Sequence, residues 1–220
     1  MKNFMSLLKL DTRLVTPYWK WLVLFTGIAL LFGILSQNGS NFMFSFAIFA
    51  GTFTAFNFEN TDKSNLNVLF ATLPTNRKSM LNARYTFILL VLVLSVMASL
   101  GGGLVLDLIF GNTIYFDRYL MMFCLTIGIY LFSTGFQTPF FYGMGYVKGK
   151  IFLWIPIIVI VVVVNLHGLF DAMGVDINFD VFDIMLNNML VTNIVAISVG
   201  TVAIVSSYFI SRRIYLRKDF

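Results

Sequence analysis

The chain has 220 residues, of which 59% are hydrophobic and only 11% charged, with a net charge of +5. Soluble domains carry about a quarter charged residues, so this composition excludes an ordinary water-soluble fold and defines an all-α integral membrane protein. The positive charge does not indicate nucleic acid, because it gathers at the flanks of apolar runs, where it suits a membrane surface.

The first predicted element is an interfacial helix over residues 1–18. Phe4, Leu7, Leu8, Leu14 and Val15 fall near one helical face, and Lys2, Lys9 and Arg13 are placed to meet headgroups. Pro17 marks the turn into the first span, with Tyr18, Trp19 and Trp21 as interfacial anchors. The run from Trp21 to Leu35 lacks a convincing cleavage site and reads as a retained span rather than a signal peptide.

A helix needs roughly 20 mainly apolar residues to cross the hydrocarbon. Six segments qualify: Trp19–Leu35, Phe42–Phe58, Tyr85–Phe110, Tyr119–Phe141, Ile151–Phe170 and Met189–Ile210. The second is short and the third long, so each is expected to tilt or break. The parts form one transmembrane domain, 1–220, with spans 1–2 in 19–58, a polar-containing loop in 59–84, spans 3–4 in 85–141, spans 5–6 in 151–210 and a tail in 211–220. All but Arg118 of the 15 basic residues then fall on one side, and Asp107, Asp117, Asp171, Asp176, Asp180 and Asp183 fall on the other. By the positive-inside rule both termini are cytoplasmic.

Within the second span, Ala47, Gly51 and Ala55 make a small-residue stripe, with Thr52 and Asn57 nearby. Such a stripe serves either a path and subunit face or plain packing within the chain. Gly101–Gly103 in the third span is either a hinge or a close-packing site, and Asp107 near the end of that span reads as solvent-facing. Cys124, the only cysteine, reads as a small buried hydrophobe. Gln137, Pro139 and Pro156 suggest local kinks. The segment Asp171–Asn188 mixes four Asp with large apolar residues and reads as a short helix at the outer leaflet.

The inner loop is the most informative stretch. Leu66, Leu69, Phe70 and Leu73 repeat at the spacing of a short amphipathic helix, Pro74 stops it, and Thr75 or Asn76 caps a helix continuing through Arg77 and Lys78 into the third span. A two-turn helix is marginal alone, so its apolar face needs lipid, the rest of the chain or another subunit.

Leu73-Pro74-Thr75-Asn76-Arg77-Lys78, followed by Ala83-Arg84-Tyr85, resembles the LP-x-[ST/N]-R signature of small ABC-2-type permeases. The basic start around Leu7-Leu8-Lys9-Leu10-Asp11 and the six-span layout extend the resemblance along the chain. It implies an ABC-2 (type V-like) permease topology. It also implies that Asn67–Asn76 is a coupling helix whose Leu69, Phe70 and Leu73 enter a groove of a separate ABC ATPase subunit. Arg77 and Lys78 would then meet acidic or headgroup partners. The family pattern has an acidic residue soon after the arginine; here Lys78 and Ser79 follow, which puts the charge pairing in doubt. Size and Phe/Met richness also resemble permeases of staphylococcal exporters of phenol-soluble modulins.

No G-x-x-x-x-G-K-[ST] loop occurs; Gly143–Lys150 has the wrong spacing. ATP and Mg therefore belong to the partner, and this chain carries no cofactor. His167 stands alone beside Asn165 and Asp171, and reads as an interfacial residue rather than a catalytic or metal centre. The mid-bilayer sequence holds no Lys, Arg, Asp or Glu, which argues against an ion-coupled carrier. The expected function is thus the permease subunit of an ATP-driven exporter of amphipathic peptides in a bacterial cell membrane. It would work with lipid around it and a second permease, identical or homologous, beside it. Self-protection against antimicrobial peptides or lipid-linked compounds is the alternative cargo class, and a scaffold or sensor the alternative role.

Overall fold

The computed structural model describes residues 2–64, 77–159, 162 and 188–217. Its elements are α1 (Lys2–Val15), a 3-10 turn (Thr16–Tyr18), α2 (Trp19–Leu35), α3 (Gly39–Phe53), α4 (Ala55–Lys63), α5 (Arg77–Phe110), α6 (Phe116–Met144) and α7 (Met189–Arg217). A short connector follows α6, comprising a helical turn at Tyr146–Gly149 and a 3-10 turn at Lys150–Leu153. Residues 154–159 are helical again. Among the described residues there is no strand, as lipid demands of open chains, since only helices satisfy their own backbone there.

Five stretches are long and apolar enough to cross a membrane: Met5–Leu35, Gly39–Lys63, Arg77–Phe110, Phe116–Met144 and Met189–Arg217. Half of the expected span Ile151–Phe170 lies outside the described residues, as do His167 and nearly all of the acidic segment after it. Large apolar side chains on α2, α5 and α7 point away from the bundle, among them Leu31, Leu94, Met97, Leu108 and Val202. In water such a surface would aggregate; in lipid it is the solvent-facing side.

The second span is one helical path interrupted at Thr54. The Thr54 hydroxyl donates to the Gly51 carbonyl at 2.8 Å, and Asn57 N–H reaches back only three residues, to Thr54 O at 3.3 Å. This local tightening is the break expected of that span. The third carries none: α5 is a single helix of 34 residues that runs uninterrupted through Gly101–Gly103. Two of those glycines serve packing. A methyl group on Gly102 would stand 2.3 Å from Phe42 Cε1, and one on Gly103 would stand 2.8 Å from Met43 Cγ. Helix is already present at Arg77, two turns before the apolar span that begins at Tyr85, as expected of a helix continuing through Arg77 and Lys78 into that span.

Against α6, α7 packs by backbone approach. A Cβ on Gly128 would meet Ala196 O at 2.5 Å, and one on Gly200 would meet Gly128 O at 2.9 Å. Small residues allow this contact without a hydrophobic driving force between helices.

The bundle has two distinct ends. At one, the Asp107 carboxylate accepts from Gly39 N–H (2.7 Å), Asn112 Nδ2 (2.9 Å) and the Tyr119 hydroxyl. Asp107 is 3% exposed, which corrects the expectation that it faces solvent. It caps the start of α3 and ties it to α5 and α6, so three donors replace the water it would otherwise need. At the other end lie α1, the close of α4, the start of α5, the connector and the close of α7. Every Lys and Arg among the described residues except Arg118 belongs to that end.

Candidate functional site

The basic end holds the chain's densest polar junction. Its local cause is the sequence of α1, where Asp11 sits on the same helical face as Leu7, Leu14 and Val15. That face turns toward the protein: Val15 and Asp11 are buried, Leu7, Leu10 and Leu14 half-buried, while Lys9, Thr12 and Arg13 are exposed. A carboxylate on an inward apolar face requires a cation, and α5 supplies one.

Arg84, 8% exposed, lies with Nη2 3.5 Å from Asp11 Oδ1. The same nitrogen donates to Thr61 Oγ1 at 2.9 Å, and the guanidinium carbon stands 4.6 Å from the centre of the Phe58 ring. One side chain on α5 thereby holds α1 by charge and α4 by a hydrogen bond and a cation–π contact. Leu7, Leu10, Met80, Ala83, Tyr142 and Tyr215 join this pair around a cavity of about 30 Å³, room for a water or two. Tyr142 and Tyr215 bring α6 and α7 to the junction, with ring centroids 5.3 Å apart.

Two further bonds close it. Asn60 Nδ2 donates to the Leu14 carbonyl, and the Asp62 carboxylate accepts from Tyr146 N–H. Burial, and then the neighbouring Glu59 carboxylate, push the Tyr146 phenol above its ordinary range, so it is neutral at physiological pH. Among the described residues, no group of three or more His, Cys, Asp or Glu side chains could hold a metal ion. The junction's groups are bonded to each other and tie the start of α5 to α1, α4, α6 and α7.

Of the coupling residues read from the sequence, Leu66, Leu69, Phe70, Leu73 and Pro74 fall outside the described residues. Arg77 and Lys78 form the first turn of α5, two helical turns before Arg84, and continuous helix joins them to the junction. Ala47, Gly51, Ala55 and Asn57 are all buried within the chain, and Thr52 is half-buried with its hydroxyl on Phe49 O at 2.7 Å. A methyl on Gly51 would lie 3.2 Å from Ser133 Cβ of α6, so the stripe packs against a helix of its own chain. Cys124 is a buried free thiol.

Sequence reasoning missed the Asp11–Arg84 pair. Its signal was present: Asp11 is the only acidic residue before Glu59, and it lies on the apolar side of a basic helix. Counting Arg84 merely as one more inner-loop charge hid its partner.

Lipid-facing helices, two unlike ends and a junction that binds five helices at the basic end define a polytopic helical membrane protein. The chain belongs to the ABC-2 transporter family: residues 6–216 match that family, ABC-2 family transporter protein, almost end to end. Members are the membrane transport component and not the ATPase, and membership implies partnership with an ABC ATPase. Neither the curated proteins nor the solved structures include a match to this chain.

Proposed function

We propose that this chain is the membrane-spanning permease of an ATP-driven exporter, with its basic end in the cytoplasm of a bacterial cell. The family match across residues 6–216 carries this reading. The concentration of basic side chains at one end of the described bundle supports the orientation. ATP and Mg are held by the partner subunits, and a second permease, identical or homologous, completes the assembly. The coupling segment is Leu66, Leu69, Phe70, Leu73 and Pro74 with Arg77 and Lys78. Its apolar face docks in a groove of the ATPase, and displacement passes along α5 to Arg84 and from there to α1 and α4.

The cargo is amphipathic and largely apolar. The described helices expose mainly Leu, Ile and Val with scattered aromatic and Met side chains, and the resemblance to exporters of phenol-soluble modulins makes amphipathic peptides the first candidates. The experiment is co-expression with candidate ABC ATPases from the same genome, followed by co-purification and transport of a labelled amphipathic helical peptide into inverted vesicles. ATP-dependent peptide uptake supports the reading. A chain that purifies without any ATPase, with no such uptake, refutes it in favour of a scaffold or sensor.

A further inference from the structure

Between α6 and α7, toward the basic end, the bundle leaves a lengthwise cleft of about 420 Å³. One wall is a column of phenylalanines on α6. The rings of Phe132, Phe136 and Phe140 follow each other with centroids 6.4 Å and 5.3 Å apart. Phe152 of the connector stacks on Phe140 at 3.9 Å. The facing wall on α7 is lower, built from Ala203, Ser206 and Ile210. Its hydroxyls are already engaged: Ser206 donates to the Ala203 carbonyl at 3.0 Å, and Ser207 shares a hydrogen bond of 2.8 Å with the Tyr85 hydroxyl of α5. The lining is therefore almost wholly apolar, and the cleft opens where Ile210 is exposed, on the lipid-facing side.

The basic end of the cleft has a different chemistry. There Ile214 Cδ1 lies 4.0 Å from where a Cβ on Gly143 would stand, so α7 meets the close of α6. On α7 the lining positions 203, 206, 210 and 214 recur at helical spacing. Arg217 is the next residue on that face, with Arg213 at its edge. Both are exposed, and neither pairs with a carboxylate among the described residues. Helix α7 contains no acidic residue, and the connector adds Lys148 and Lys150 without one. From Phe132 to Met144 the cleft runs about 18 Å at about 1.5 Å per residue, close to the roughly 15 Å of hydrocarbon in one leaflet. An apolar slot one leaflet deep, with uncompensated cations at its mouth, is complementary to an acidic lipid. The same cations disfavour a second copy here. Copies that share an orientation in the membrane would set Arg213 and Arg217 against their own counterparts, with no acid on α7 to offset them.

We propose that the α6–α7 cleft is a binding site for an anionic phospholipid. One acyl chain lies along Phe132, Phe136 and Phe140, and Arg213 and Arg217 pair with the phosphate. The site adds to the transport reading and does not depend on it, because it needs only the bundle and a bilayer.

The test titrates the purified full chain with phosphatidylglycerol and with phosphatidylcholine of the same acyl chains, and native mass spectrometry counts bound lipid. Phosphatidylglycerol should bind about tenfold more tightly or better, the contribution of two basic side chains at a headgroup. Arg213→Gln/Arg217→Gln should abolish that preference, while Lys9→Gln/Arg13→Gln on the exposed side of α1 should keep it. Ser206→Phe, which fills the cleft from an exposed position, should weaken binding of both lipids several-fold. A preference that survives the loss of Arg213 and Arg217 overturns the proposal. So does lipid binding unchanged in a folded Ser206→Phe chain, which would mean that the cleft is taken by cargo or by the chain's own residues after Val159. A dimer that Ser206→Phe dissociates also overturns it, in favour of a second copy.

Discussion

Asp11 of the N-terminal helix and Arg84 of α5 lie 3.5 Å apart at the base of the bundle, each almost sealed from solvent by the other and by Tyr142 and Tyr215. The pair joins α1 to α5, both at the basic end. A buried ion pair is a poor source of stability, yet breaking one half of it is costly because the other charge is left stranded.

Arg84→Met is therefore expected to destabilise the chain by about 3–5 kcal/mol, and Asp11→Leu by a similar amount. The double variant Asp11→Leu/Arg84→Met should regain most of that loss, since it leaves no unpaired charge. Thermal unfolding of the four proteins in one detergent makes the double-mutant cycle. If the double variant regains stability without regaining ATP-dependent transport, the pair is a linkage between moving helices rather than a fastening alone.

The three glycines of α5 should respond differently to the same change. Gly101 has open space where a Cβ would go, so Gly101→Ala is expected to stabilise the helix by about 0.5–1 kcal/mol. At Gly102 a Cβ would press into the Phe42 ring at 2.3 Å, and Gly102→Val is expected to cost about 1–3 kcal/mol. Melting temperatures of the two variants decide it, and a hinge role would predict instead that both lose transport without a stability difference.

At the opposite end, Asp107 holds Gly39, Asn112 and Tyr119 together. Removing one donor with Tyr119→Phe should cost about 1.5–3 kcal/mol, the range for hydrogen bonds to a charged group. Asp107→Leu should cost more, because Gly39 N–H is then left buried and unbonded. Hydrogen exchange at the start of α3 should rise in the second variant and scarcely change in the first.

Five of the six expected spans were legible in the sequence because lipid leaves the backbone one economical choice, and apolar length then reports the helix directly. The helix running through Arg77 and Lys78 into the third span was legible too. What was not legible depended on contacts between distant residues. Asp107 read as solvent-facing because its partners Gly39 and Tyr119 come from two other helices. The glycine run left two readings open until Phe42 and Met43 were seen against it. The stripe of Ala47, Gly51 and Ala55 announced a close contact, but a small residue carries no mark of which helix will approach it. Arg84 was hidden by the rule that located it, since counting positive charges treats a buried arginine and a headgroup-facing one alike.

Association with the ATPase tests the central claim most directly. With the partner co-expressed, the wild-type chain should co-purify with it and stimulate ATP-dependent transport. Phe70→Asp and Leu73→Asp, which place a charge on the docking face, should each weaken that association by about tenfold or more, equivalent to about 1.4 kcal/mol or above. Full association and undiminished transport in both variants would contradict the account.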